Sequence, residues 1–329
     1  MTPDVPSGCL SPLSIGDVIL PNRLILGPMA GTTDLSFRTL CHEMGAGLVC
    51  GEMVSAKAVI YRNKNTAALC RTSPEEHPVS LQLFGSEPEI MAEAAAILRE
   101  TYDYDLLDIN MGCPVAKIVS NGEGSALMKD PALIERIVDH VVRAAGCPVT
   151  VKLRKGYGKN ENTAVDCAKA AESGGASMVT IHGRTREQFY SGQADWSVIR
   201  DVRAALSIPV AGSGDVTDGP SCARMFSETG CDAVMIARAA QGDPWIFRDV
   251  LSWLADGITP KKPSREETVA MLLRHAGLLT ADKGSYIGIR EMRRHAAWYT
   301  KGIPGAARLR ENLSQIESLE ELEDLCRKL

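Results

Sequence analysis

The sequence has no C-x-x-C pair. Its ten cysteines stand at 9, 41, 50, 70, 113, 147, 167, 222, 231 and 326. That scatter lacks the paired spacing of a zinc site or a redox dithiol, so all but Cys113 read as reduced, buried thiols of a cytosolic protein. Long apolar runs are also lacking. No stretch of about 18 apolar residues occurs, so no membrane span is expected. The opening MTPDVPSGCLSPLSIGDVIL has neither a basic start nor a long apolar core, and no signal peptide is expected. Excess positive charge is missing: the net charge is −5. Nothing therefore draws the whole molecule to nucleic acid or anionic lipid, and a polyanionic partner needs a local basic face. No G-x-G-x-x-G follows the first apolar segment, which tells against a dinucleotide-binding doubly wound sheet.

What is present is ordinary globular material, 45% hydrophobic and 23% charged over 329 residues. Short apolar segments at 23–30, 48–53, 78–84, 106–110, 149–154, 178–182, 209–213 and 233–237 read as buried strands. Amphipathic helices are expected at 35–44, 87–100, 131–145, 163–173, 196–206 and 219–229, with a less regular second link at 55–70. Gly45, Gly146, Gly174 and Gly230 punctuate helix C-termini, and Asp195 and Asp218 suit N-caps. Eight buried strands, each followed by a helix or a long return, form the pattern of a TIM (β/α)8 barrel. An eighth helix is expected at 243–256. After the turn-rich GITPKKPSRE the strand signal vanishes, and helices are expected at 266–282, 286–299, 304–312 and 318–329. The expected division is a barrel over 1–257 and an all-helical domain over 258–329.

Barrel chemistry sits at the C-terminal ends of strands. There the sequence places Pro28-Met29-Ala30, Glu52-Met53, Gln82, Asn110 and then Cys113, Lys152 and Arg154, His182-Gly183-Arg184, Gly212-Ser213-Gly214-Asp215, and Ala237-Arg238. Taken singly, each is equally well a capping or surface group; six or more converging on one mouth point to a site. Loops after strands seven and eight often hold phosphate, which suits Ser213-Gly214-Asp215 and Ala237-Arg238. A lysine at 152 can offset negative charge on a ring, and a glutamine at 82 can both donate to and accept from a heteroaromatic edge. The chemistry fits FMN and equally a sugar phosphate. Cys113 stands between a strand end and a glycine-bearing stretch, GCPVAKIVSNGEGSALM, where a functional thiol is favoured over a structural one.

These residues carry a resemblance. PMAG (28–31), QLFG (82–85), DINMGCP (108–114), VKLRKGY (151–157), TIHGRTREQFYSGQADW (180–196), GSGDV (212–216) and ARAAQGDPWIF (237–247) make the chain similar to the tRNA-dihydrouridine synthases, nearest the bacterial B-type branch. The similarity runs over about residues 10–329. It implies a barrel holding FMN, NADPH as reductant, and a helical C-terminal domain that helps hold tRNA. Carried over by position, Pro28, Met29 and Ala30 lie against the flavin, and Gln82 bonds its ring edge. Lys152 and His182 reach the flavin and its ribityl-phosphate region, while Ser213, Gly214, Asp215, Ala237 and Arg238 hold the phosphate. Asn110 and Arg154 contact a flipped D-loop uridine. Hydride goes to C6 of the uracil, and Cys113 is the general acid that protonates C5. That task needs a thiol whose pKa is not depressed below about 8.5. Two positions depart from the family pattern: Ala237 stands where glycine is frequent, and Ser213 where asparagine is.

Charge is uneven along the chain. Between 258 and 313, 11 Lys and Arg face 5 Asp and Glu, a local balance of +6. Arg290 and Arg294 share a helical face with Arg293 beside it, a candidate phosphate-contacting surface for tRNA. Two other readings stand beside tRNA reduction. One is a flavin barrel reducing a free pyrimidine or enoate; the other is a catalytically silent RNA-binding protein.

Overall fold

Ten strands are set by residue choice that alternates along the chain. In this computed structural model, which describes residues 8–303 and 311–327, they are β1 (Leu13–Ile15), β2 (Val18–Leu20), β3 (Leu24–Leu26), β4 (Leu48–Ser55), β5 (Val79–Phe84), β6 (Leu106–Asn110), β7 (Val149–Arg154), β8 (Met178–His182), β9 (Val210–Ser213) and β10 (Ala233–Ile236). β3 to β10 are parallel and close into a barrel, with β10 beside β3. Odd-numbered side chains of β6, β7 and β8 are apolar (Leu107, Ile109, Val151, Leu153, Val179, Ile181) and pack outward with helix residues such as Met91, Ile134 and Val198. Side chains of the other set point into the lumen, because successive residues of a strand face opposite sides.

The lumen changes character along its axis. Ile25, Leu48, Cys50, Leu106, Met178, Ala211, Ala233 and Met235 form an apolar plug with Leu13, Ile15 and Leu20 of the antiparallel β1–β2 hairpin. Ile15 and Leu20 are fully buried, each worth roughly 1.5–3 kcal/mol. Toward the C-terminal ends the lumen turns polar, with Gln82, Asp108, Asn110, Thr150, Lys152 and His182 in register: Gln82 opposite Asp108, Asp108 opposite Thr150, Asn110 opposite Lys152. The lower half thus stabilises the barrel and the upper half is left for chemistry.

The expected strands and helices between 35 and 256 are found, with shifts at their ends. The strand expected over 23–30 stops at Leu26. Pro28 has no N–H to extend the ladder, and Thr32 and Thr33 turn back to donate to the Met29 carbonyl at 3.0 Å. The irregular link at 55–70 is two short helices, Ala56–Ile60 and Lys64–Leu69. Asp195 and Asp218 do cap helices. Gly146 and Gly230 are left-handed, but Gly174 is not: the left-handed residue there is Gly175, φ 95°. After a left-handed Gly257 the chain runs without regular structure to Ser264, which caps helix Arg265–Lys283. Helices Ser285–Tyr299 and Leu319–Cys326 follow. Residues 304–310 of the helix expected at 304–312 lie outside the described residues, as do Arg308 and Arg310. The C-terminal helices share a second core, including Leu272, Leu279, Met292 and Tyr299, which also takes in Leu40 and Trp245. Among the described residues, no helix is long and apolar enough to cross a membrane.

A buried ion pair ties the helix after β3, Leu35–Glu43, to the chain ahead of β5. Arg38, 1% exposed, donates Nε and Nη2 to the two oxygens of fully buried Glu76 at 2.7 and 2.9 Å, and Nη1 to the Thr33 carbonyl at 2.9 Å. Removing the arginine strands a carboxylate in the interior. Arg38→Met is expected to cost about 3–5 kcal/mol in urea denaturation. Arg38→Met with Glu76→Gln should cost less than Arg38→Met alone; an equal or larger loss would show that the stranded charge is not the cause.

Candidate active site

A cavity of about 600 Å³ opens at the C-terminal mouth of the barrel, within the roughly 300–1,000 Å³ usual for a cofactor or small-molecule site. Pro28, Met29, Ala30, Gln82, Asn110, Cys113, Lys152, Arg154, His182, Ser213, Gly214, Asp215, Ala237 and Arg238 all line it. Parallel register is why: each strand contributes its last inward residue at about the same height.

Cys113 follows β6 by three residues, and its place is fixed through the backbone. Its N–H donates to Asn110 Oδ1 at 2.9 Å, and its carbonyl accepts from Ser125 N at 3.1 Å. The stretch after it is not an open loop. It forms two short helices, Ala116–Val119 and Gly124–Lys129. Gly124, at φ 59°, packs so closely on Cys113 that a Cβ would come within 2.9 Å of the Cys113 carbonyl oxygen. The glycine is there for that close approach. Cys113 is half-buried, and burial pushes its thiol above the ordinary value, against the Val115 N–H and the charges of Arg154 and Lys152. The other nine cysteines are unpaired, and all but Cys147 are buried.

Asn110 Nδ2 donates to Gln82 Oε1 at 2.9 Å, and Gln82 Nε2 donates to Asp108 Oδ2 at 2.7 Å. Arg154 is 4% exposed and reaches three carbonyls, those of Gly112, Thr185 and Phe189, at 2.8 to 3.0 Å. Burial lowers its pKa to about 10, still charged at neutral pH. Burial, with the Arg154 charge, lowers Lys152 to about 8. His182 is 7% exposed and its Nε2 has no partner among the described residues. Burial, with the charges of Lys152 and Arg154, lowers its pKa well below the usual imidazole value, so it is neutral. A buried, unpartnered nitrogen on a cavity wall fits a polar group of a bound ligand.

Asp215 stands on the cavity wall with its side chain already engaged. The Asp215 carboxylate accepts from Arg184 Nη2 and Ala194 N, both at 2.7 Å, and from Arg238 Nη2 at 3.3 Å. So engaged, its side chain orients the two arginines. Ala237 has φ −125°, so it carries no left-handed strain where the family often has glycine.

Arg290, Arg293 and Arg294 do not line the cavity. Arg293 is committed to the Ile316 carbonyl at 2.6 and 2.9 Å. Arg294 donates to the Gly31 carbonyl beside Ala30. Arg290 is exposed and lies 3.6 Å over the Tyr286 ring. Two other cations of this basic stretch are paired: Arg274 with Glu43, and Lys283 with Glu291 and Asp34. The sequence reading also missed Phe189 and Tyr190, which line the cavity and are each 45% exposed. Arg238 sits 4.4 Å over the Tyr190 ring. No periodicity marks this pair, although two adjacent aromatics in a polar loop were a usable signal.

No metal was expected, yet Asp34, His275 and His295 bring one ligand atom each to within 4.8 Å of one another. The Asp34 oxygen is 3.9 Å from His295 Nε2 and 3.6 Å from the Lys283 ammonium. Ligands of tetrahedral zinc are about 3.4 Å apart, so this spacing, beside a cation, suits a bridging water better.

The family description "Dihydrouridine synthase (Dus)" matches residues 25–329. Over 308 residues the chain is 39% identical to tRNA-dihydrouridine synthase B of Pseudomonas aeruginosa, covering 94% of this chain and 92% of that protein. It is 40% identical over 310 residues to tRNA-dihydrouridine synthase B of Xanthomonas campestris pv. campestris, with coverage of 94% and 92%. Among solved structures, a morphinone reductase mutant in complex with tetrahydroNAD aligns at TM-score 0.57 and 13% identity, over 80% of this chain and 94% of that one. Histamine dehydrogenase from Rhizobium sp. 4-9 aligns at TM-score 0.57 and 15% identity, over 83% of this chain and 51% of that one. These two share the fold.

A thiol held up by burial should be a poor nucleophile at neutral pH. Iodoacetamide labelling read at the Cys113 peptide by mass spectrometry is expected to run several-fold slower at pH 8 than for free cysteine. Faster labelling would mean a thiolate at rest.

Proposed function

We propose, since this chain belongs to the dihydrouridine synthase family and to its B-type branch, that it reduces the 5,6 double bond of D-loop uridines in tRNA with FMN as cofactor, NADPH as reductant and Cys113 as the acid. Dihydrouridine formation in tRNA by a flavin enzyme is what membership gives; the D loop, FMN, NADPH and the residue roles are the finer reading. One observation carries it: a protonated thiol shares a single cavity with Lys152, Gln82 and the unpartnered nitrogen of His182.

The residues suit FMN. Lys152 offsets charge at the ring edge, and Gln82 has one N–H and one lone pair left after its partners are counted. His182 gains its missing partner. Backbone N–H groups around Ser213-Gly214 and Ala237, with Arg238 oriented by Asp215, take the phosphate. Pro28, Met29 and Ala30 give a surface for the ring.

When bound, the flavin supplies hydride to C6 of the uracil. The chain does the rest. Asn110 Oδ1 is filled by two backbone N–H groups, one Nδ2 hydrogen goes to Gln82, and the other rests on the Met53 sulfur at 3.5 Å, a weak acceptor that a uracil carbonyl replaces. Arg154, braced on three carbonyls, holds the loops on either side of the base. Cys113 keeps its proton on Sγ until C5 accepts it. The thiolate left behind is stabilised by Arg154, Lys152 and the Val115 N–H, which all favour the charged form. A stacked uridine cannot enter, so the base flips, at a cost of a few kcal/mol. In this reading residues 1–257 hold the cofactor and 258–329 hold tRNA, through exposed cations such as Arg290 and Arg294.

Nucleoside mass spectrometry of tRNA incubated with protein, FMN and NADPH should show D-loop uridine gaining two hydrogens. No gain on any uridine would refute the reading. Cys113→Ala should bind FMN and be reduced by NADPH normally, yet form product roughly 10²–10⁴-fold more slowly; unchanged turnover would remove the proposed acid. Lys152 adds a pH dependence. Its charge is present below its lowered pKa of about 8 and is lost above it. FMN affinity should therefore fall as pH rises from 7 to 9, and Lys152→Met should flatten that fall. An equal fall in the mutant would assign it elsewhere.

A further inference from the structure

We propose that Asp108 is a positioning residue for this reaction: its carboxylate is the terminal acceptor that, together with the backbone N–H groups of Gly112 and Cys113, locks which way the amides of Gln82 and Asn110 present themselves to the cavity. The proposal rests on the flavin and uridine reading of the site and assigns a group that does not itself line the cavity.

The hydrogen bonds run from a fixed point. Backbone N–H groups cannot turn into acceptors, and those of Gly112 and Cys113 point at Asn110 at 3.2 and 2.9 Å. Asn110 must therefore offer them its oxygen, which turns its Nδ2 toward Gln82 at 2.9 Å. Gln82 must answer with its own oxygen, which turns its Nε2 toward position 108 at 2.7 Å. An acceptor is then required at 108. The Thr150 hydroxyl brings a second donor to the other oxygen, at 2.6 Å. A carboxylate is the side chain that accepts on both sides. Register supplies the reach, since Gln82, Asp108 and Thr150 are abreast on β5, β6 and β7. All three are at most 3% exposed, so water cannot substitute for a missing partner.

The consequence lies in the cavity. With Asp108 accepting, Gln82 keeps one N–H and one lone pair for a ligand edge, and the second Nδ2 hydrogen of Asn110 is held only by the Met53 sulfur at 3.5 Å, a weak acceptor that a ligand oxygen can replace. Were the chain of bonds reversed, Asn110 would turn its carbonyl toward the uracil carbonyls and its Nδ2 toward two backbone N–H groups. Asp108 thus closes, in the middle of the barrel, a run of hydrogen bonds whose polarity begins at the amides of Gly112 and Cys113. Burial works against its charge, and the Gln82 and Thr150 bonds with the Lys152 charge work for it.

The test uses sign. Asp108→Asn alone can keep the polarity, because the oxygen of the new amide accepts from Gln82 while its nitrogen donates to the Thr150 hydroxyl oxygen. Gln82→Glu alone sets two carboxylates against each other. In the double variant Gln82→Glu, Asp108→Asn, the amide at 108 donates to the new carboxylate and accepts from Thr150, so both bonds made at position 108 are restored. Flavin-loaded proteins are compared by FMN release on dilution, read as flavin fluorescence at pH 8, and by thermal unfolding. Asp108→Asn should speed release by about threefold or less, and Gln82→Glu by about tenfold or more. Adding Asp108→Asn to Gln82→Glu should slow release again by several-fold and raise the unfolding temperature. If Asp108→Asn leaves Gln82→Glu unchanged or makes it worse, the proposal fails. Because neither readout uses tRNA, failure here is distinguishable from failure of uridine reduction itself.

Discussion

The site depends on parallel register at the upper rim of the barrel. Gln82, Asp108 and Thr150 lie abreast, and Asn110 lies opposite Lys152. A slip of one residue in β6 would turn Asp108 and Asn110 toward the helices and bring Leu107 and Ile109 into the lumen. The outer apolar packing of those two residues resists this, and so does the fit of Leu106 into the apolar plug. Stability of the lower barrel and chemistry at the upper rim are therefore specified by the same alternation. The hairpin β1–β2 closes the bottom of the lumen with Ile15 and Leu20, leaving the top as the open end.

Desolvation is the second organising effect. It pushes the Cys113 thiol up, the Lys152 ammonium down to about 8 and the His182 imidazole down. At neutral pH the cavity thus holds a protonated thiol, a neutral imidazole and a cation within reach of losing its charge. Clustered cations explain part of this: Arg154, Arg184 and Arg238 all act on His182. Asp215 keeps two of those arginines aimed and balances them in part. A site built this way favours an anionic, hydrogen-bonding ligand and disfavours spontaneous thiol chemistry.

Much of this was legible from residue pattern. β6, β7 and β8 were readable to the residue because Leu, Ile and Val alternate with Asp, Asn, Thr, Lys and His. The convergence of strand-end residues followed once eight strands were counted. What escaped had physical reasons. β1 and β2 have three residues each, too short for any period to show. Proline at 28 ended β3 earlier than its apolar content suggested. The sequence shows glycines after Cys113 but not their purpose, which at Gly124 is close packing against the cysteine. Arg293 counted as surface charge, but tertiary structure turns it onto the Ile316 carbonyl. The sequence placed Asp215 in a phosphate-loop pattern without showing that its carboxylate is taken up by Arg184 and Arg238.

The central claim is that Cys113 acts as an acid, held protonated until the uracil takes its proton. Its most direct test is the pH dependence of a single turnover, in which pre-reduced protein with saturating FMN is mixed with tRNA and product is counted by mass spectrometry. The rate should hold level past about pH 8.5, the ordinary thiol value, and fall only above it as the thiol ionises. A rate that climbs through that range would mean that the thiolate is the working form, and would contradict the account.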